Sequence, residues 1–196
     1  MPGLVFEYDP PDRFVAGTVG EPGQRTFYLQ AAARGRTTSV ALEKQQVAAL
    51  AERISEILDE VVLRSGGTDA PAMTPAGLTD RAPLEQPVIE EFRVGTMALA
   101  WDPDPGVLVI EAHAISDADE DPDDADPAEA AITPAPAQPE DEPDVLRVRL
   151  TAAAARAFAQ RAVAVVGAGR PNCPLCGLPL DPTGHICPRQ NGYRRR

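Results

Sequence analysis

The chain has 196 residues, enough for one domain or for one domain with an appendage. Hydrophobic residues make up 43% and aromatic ones 5%, which implies an aliphatic, alanine-rich core, and no apolar run approaches the roughly 18–20 residues that a membrane span needs. The net charge of −12 belongs to one stretch: 12 acidic and no basic residues lie from Asp117 to Asp144, leaving 18 of each sign elsewhere, so the body offers no general electrostatic footprint for nucleic acid.

The N-terminal residues Met1 to Pro10 lack a basic region followed by an apolar stretch, so no signal peptide is expected and a cytoplasmic location follows. Leu4 to Tyr8, Phe14 to Val19, Thr26 to Ala31 and Thr37 to Leu42 read as strands, rich in β-branched and aromatic residues and separated by Pro and Gly clusters. Their short connections suit antiparallel hairpins. Gly17-Thr18-Val19-Gly20-Glu21-Pro22-Gly23 has the look of a phosphate loop but lacks the Gly-Lys-Ser/Thr ending and a following helix, so a hairpin turn is expected.

From Glu43 the period changes. Val47, Leu50, Ala51, Ile54, Ile57, Leu58 and Val61 recur at helical spacing, and Ser65-Gly66-Gly67 ends the helix. Residues 66 to 87 show no periodicity and read as a loop. Strands follow at Val88 to Ala100 and Val107 to Ile115. His113 lies two residues after Glu111 on one strand face and reads as a surface histidine rather than a general base. The acidic stretch holds six prolines and little to bury, so disorder is expected. Val145 to Leu150 alternates as a strand, and Thr151 is placed to cap an alanine-rich helix from 152 to about 166.

Val40 to Arg53 resembles Val148 to Arg161 in pattern, with Leu42 matching Leu150, Ala51 matching Ala159 and Arg53 matching Arg161. The expected fold is therefore α+β, a mainly antiparallel sheet with two helices and pseudo-duplicated halves. Residues 1–116 and 145–168 form one domain, 117–144 an acidic insertion, and 169–196 a tail.

That tail carries all three cysteines. Cys173, Cys176, His185 and Cys187 give the spacing C-x2-C-x8-H-x-C, which matches a closed Cys3His zinc site, a zinc knuckle at the C-terminus. Four protein ligands leave no position for water or substrate, so the site reads as structural, and the tail has too few apolar residues to fold without metal. A redox role for the Cys-x-x-Cys pair is disfavoured, since the pair follows a helix instead of opening one. Arg189, Arg194, Arg195 and Arg196 beside Tyr193 would suit single-stranded nucleic acid, but the acidic insertion argues against such a partner.

The stretch Phe6-Glu7-Tyr8-Asp9-Pro10-Pro11-Asp12-Arg13-Phe14, running on to Gly17-Thr18-Val19-Gly20-Glu21-Pro22-Gly23-Gln24-Arg25-Thr26-Phe27, resembles the opening of an actinobacterial family of unknown function, DUF3090. Val40-Ala41-Leu42-Glu43-Lys44-Gln45-Gln46-Val47 and the closing segment from Cys173 to Tyr193 are similar to it as well. The resemblance implies no activity. Its members tend to be encoded beside a lipid-kinase-like and a phosphoglycerate-mutase-like protein, which implies a partnership. The reading that emerges is a non-enzymatic binding or adaptor protein with a protein partner. The alternative is an enzyme or accessory subunit acting on a phosphorylated small molecule, in a cleft where Arg13, Glu43, Lys44, Gln45 and Arg93 would converge.

Overall fold

Four strands come first: β1 (Val5–Tyr8), β2 (Arg13–Val19), β3 (Thr26–Ala33) and β4 (Arg36–Leu42). Helix α1 (Lys44–Ser65), strands β5 (Glu90–Asp102), β6 (Val107–Ala114) and β7 (Val145–Thr151), and helix α2 (Ala152–Gly167) follow. The computed structural model describes residues 3–21, 23–115, 143–168, 173–176, 187 and 189. The acidic stretch therefore lies outside the described residues, apart from Pro143 and Asp144. The backbone N–H of Leu4 donates to the Asp144 carboxylate at 2.7 Å, fastening the start of the chain to β7.

The fold is α+β, as the sequence implied: among the described residues there are seven strands in the order β1-β7-β6-β5-β4-β3-β2, mostly antiparallel, with two helices. Hairpins alone do not account for it. β1 runs parallel to β7, and β4 runs parallel to β5. A parallel neighbour needs a long crossover, which α1 and the irregular segment behind it supply between β4 and β5. The sheet is strongly curled. In a flat sheet β1 and β4 would be about 19 Å apart, yet Tyr8 of β1 reaches Thr38 of β4 through a buried 2.7 Å hydroxyl contact. The two edge strands, β1 and β2, are consecutive in the chain, so their facing ends lie no more than about 18 Å apart.

The helices form for local reasons. Glu43 and Gln46 make a capping box at the start of α1, and Gly66 at φ 63° closes its end in the left-handed conformation. The Thr151 hydroxyl accepts the Ala154 N–H at 3.3 Å and starts α2. The buried stripe of α1 (Val47, Leu50, Ala51, Ile54, Leu58, Val61) meets the small-residue face of α2 (Ala152, Ala155, Phe158, Ala159, Ala162), and alanine there lets the helices approach closely. Both belong to one core with the inner face of the sheet. Phe158 stacks on Phe14 of β2 with ring centroids 4.6 Å apart.

The two halves repeat in register. Phe27 pairs with Leu42 as Leu108 pairs with Leu150, and Leu29 with Val40 as Ile110 with Val148. Each half also lends its first strand segment to the other: Glu7 lies beside Arg147, and Glu90 lies beside Ser39, both in parallel. The short sequence likeness around Leu42 and Leu150 therefore falls on equivalent places in the fold. One half keeps its leading strand continuous as β5, with an irregularity between Val94 and Met97. The other half breaks it between Tyr8 and Arg13.

Residues 66–89 contain no helix or strand, so the expected loop at 66–87 runs two residues further and β5 starts at Glu90 rather than Val88, but they are not a loose loop. They form a strap that passes the free edge of β2 and covers the outer face of β2–β4. The Gln30 amide reads the strap backbone in both directions, donating to Glu85 O at 3.1 Å and accepting from Glu85 N–H at 2.7 Å. Gly17 is not part of the hairpin turn that its spacing implied; it lies inside β2 under Leu84 of the strap. A Cβ at Gly17 would stand 2.5 Å from Leu84 Cγ, and Leu84 is itself buried. Gly17→Ala is expected to destabilise the protein by about 1–3 kcal/mol through overpacking. Urea unfolding of both single variants and the double variant tests the contact: in a Leu84→Ala background the cost of Gly17→Ala should largely disappear.

Candidate functional site

The end of α2 is held where Arg25 Nη1 donates to Ala168 O at 3.1 Å. Just beyond it, the Cys173–Cys176 turn and Cys187 bring their three sulfur atoms within 4.8 Å of one another. Cys173 and Cys187 are buried, Cys176 is half-buried, and none is in a disulfide. Cys173 and Cys187 are 3.8 Å apart at sulfur. Two thiolates 2.3 Å from one tetrahedral metal would be separated by about the same distance, roughly 3.8 Å. The backbone N–H groups of Cys176 and Leu175 point at Cys173 Sγ and stabilise its anion, and with smaller help from the other two cysteines they lower its pKa to about 6. Three cysteines so placed could hold a metal ion. His185, the fourth ligand expected from spacing, lies outside the described residues.

The residues expected to line a cleft fall in two places. Glu43 Oε1 accepts from Arg93 Nη1 at 3.0 Å, while Lys44 and Gln45 stand exposed on the first turn of α1. Arg13 is level with Thr37 across β3, six residues along β4 from Glu43. At about 3.3 Å per residue the two groups are roughly 20 Å apart along the strand direction.

Arg13 belongs instead to a cluster that no pattern in the sequence announced. Its Nε donates to Asp80 Oδ2 at 2.6 Å, and its Nη2 donates to the carbonyls of Ala82 and Pro83. Arg161 of α2 approaches the same carboxylate: Nη1 donates to Asp80 Oδ1 at 2.9 Å and to Asp80 O at 2.7 Å, Nη2 to Ala82 O, and Nε to Ala16 O of the β2 edge. The hydrogen bond from Arg13 holds the Asp80 carboxyl below the usual carboxylate range, and the same bond raises the Arg13 pKa. Burial lowers the pKa of Arg161. These donors go to the strap and, through Arg161 Nε, to β2, so the cluster works as a fastening between α2, β2 and residues 80–83.

On β6, Glu111 is shared between Arg147 Nε at 2.7 Å and His113 Nε2 at 3.6 Å. All three side chains are partly exposed on the outer face of the sheet.

Residues 6–187 match a family model described as a protein of unknown function, DUF3090. The chain belongs to the DUF3090 family. The matched range begins in β1 and ends at Cys187, so it takes in both halves of the sheet and the three cysteines of this DUF3090 protein. No curated protein and no solved structure matched the chain. Among the described residues no helix is long and apolar enough to cross a membrane.

Proposed function

We propose that this DUF3090 protein is a non-enzymatic binding or adaptor protein whose Cys173, Cys176, His185 and Cys187 hold one structural zinc ion. The convergence of three sulfur atoms beyond α2 carries this reading. Three thiolates and an imidazole suit zinc better than the oxygen-seeking cations, and four protein ligands complete its tetrahedron. Reduced, metal-binding cysteines fit a reducing compartment, the cytoplasm. The adaptor role is supported by the way charged clusters of the fold are engaged: Arg13, Asp80 and Arg161 fasten the strap, and Glu43 with Arg93 joins the start of α1 to β5. The zinc-bearing tail would then be the element a protein partner reads.

Elemental analysis of the purified full chain should find one zinc per chain, and Cys176→Ser should lower that content sharply. Unchanged metal in the variant would remove the site. For the adaptor role, the full chain and a chain ending at Ala168 are used as baits in the same extract. A partner held by the first and lost by the second is expected, and equal capture by both would reject the tail as the docking element.

A further inference from the structure

Arg156 sits in the second turn of α2 with 11% of its side chain exposed. Its Nε donates to Pro71 O of the strap at 3.3 Å, and its Nη1 lies 2.8 Å from Asp59 Oδ1 of α1. Nη2 is buried and has no hydrogen-bond partner among the described residues. A guanidinium N–H that has lost water and gained nothing is costly, and such a group in a folded protein calls for an explanation. Arg161, one and a half turns further along α2, shows the contrast: its three nitrogens all donate to neighbouring oxygen atoms.

Arg156 also lines a pocket of about 570 Å³ between α1, α2 and the strap. Thr74, Thr79 and Gln160 bring hydroxyl and amide groups to it, while Met73, Pro75 and Val163 form an apolar side. Met73 and Val163 are 80% and 59% exposed. The volume falls within the usual range for small-molecule sites, which combine an apolar lining with a few placed polar groups.

We propose that this pocket binds a small carboxylic acid with a compact apolar body. Its carboxylate accepts from Arg156 Nη2, the nearby hydroxyl and amide groups take its remaining lone pairs, and its body covers Met73 and Val163. A single negative charge is specified because Asp59 already balances Arg156. One spare donor beside an existing carboxylate suits a monoanion and disfavours a phosphate dianion. Nη2 has no exposed surface, so the contact requires residues 73–79 of the strap, which line the pocket without helix or strand, to shift on binding. This site is independent of the metal centre.

The chain has three methionines, Met1, Met73 and Met97, so methyl-labelled methionine gives a three-signal probe of the intact protein. Benzoate and 3-methylbutanoate are titrated against the full chain, with benzamide and inorganic phosphate as controls. A saturable shift of the Met73 methyl is expected with the two acids, with little change at Met97 and none with benzamide. Arg156→Gln should weaken the acids by about tenfold or more. Should that variant fail to fold, Val163→Trp, which fills the pocket from an exposed position, should abolish the Met73 shift while leaving the Met97 signal in place. The proposal is overturned if neither acid shifts Met73 saturably, if benzamide binds as well, or if the pocket variants bind the acids unchanged. Tighter binding of phosphate than of either acid would overturn the class of ligand.

Discussion

Cys173→Ser is expected to strip the protein of most of its metal and to open the chain beyond α2 to trypsin. Structural zinc sites of this ligand type contribute about 10–16 kcal/mol of apparent binding energy at neutral pH. Little else is available to order residues 169–196, whose large apolar side chains are few: Leu175, Leu178, Leu180, Ile186 and Tyr193. Cys173 is well prepared for metal, with two backbone N–H groups on its sulfur and Cys187 3.8 Å away. Serine keeps the size of the side chain and removes the soft donor. Cleavage after Arg189 should therefore become as fast in Cys173→Ser as in wild-type protein stripped by a chelator, while far-ultraviolet circular dichroism of both keeps the signal of α1 and α2. Identical cleavage of metal-loaded and metal-free wild type would show that metal does not order the tail.

The parts of the fold that were legible in the sequence are those fixed by neighbours along the chain. Val47, Leu50, Ile54, Leu58 and Val61 announce α1 because a helix buries residues three and four apart, and they are the residues the structure buries. Thr151 announces the start of α2 because a cap acts over three residues. The cysteine spacing was legible for the same reason: two sulfurs on one turn need only local geometry. The parallel pairs were not legible. Glu7 beside Arg147 and Ser39 beside Glu90 depend on which strands meet after the chain has returned from far away, and nothing in either strand names its partner. The strap was illegible for a different reason. Arg13 and Arg161 grip the carbonyls of Ala82 and Pro83, and Gln30 grips the backbone of Glu85, so the recognised groups are ones that every residue carries. Gly17 gave the one usable hint. A glycine inside an otherwise well-packed strand often marks a close approach, here by Leu84.

The second large effect is expected at Asp80, where two arginines share one carboxylate a third exposed to solvent. Asp80→Asn keeps the shape of the side chain and removes its charge, leaving Arg13 and Arg161 face to face. Partial exposure screens the loss, so the cost at neutral pH is expected to be about 2 kcal/mol, less than for a fully buried pair. The carboxyl pKa is lower in the folded protein than the roughly 3.9 of an unfolded aspartate. Its ionised form therefore stabilises the fold above about pH 4, and that contribution is lost as the pH falls below this value and through the lower folded pKa. Urea unfolding at pH 7 and at pH 3 should show wild type and Asp80→Asn well separated at the first and less so at the second. An equal gap at both would mean that the charge of Asp80 does not hold the strap. Hydrogen exchange locates the effect: Arg161 also donates to Ala16 O on the unpaired side of β2, so loosening residues 80–83 should speed exchange along that edge before it reaches β6 or α1. An edge strand left without its cover is a template for pairing with another chain. A self-association of Asp80→Asn that grows with protein concentration is therefore the expected companion of its lost stability, and it ties the strap's fastening to the sheet's protection from itself.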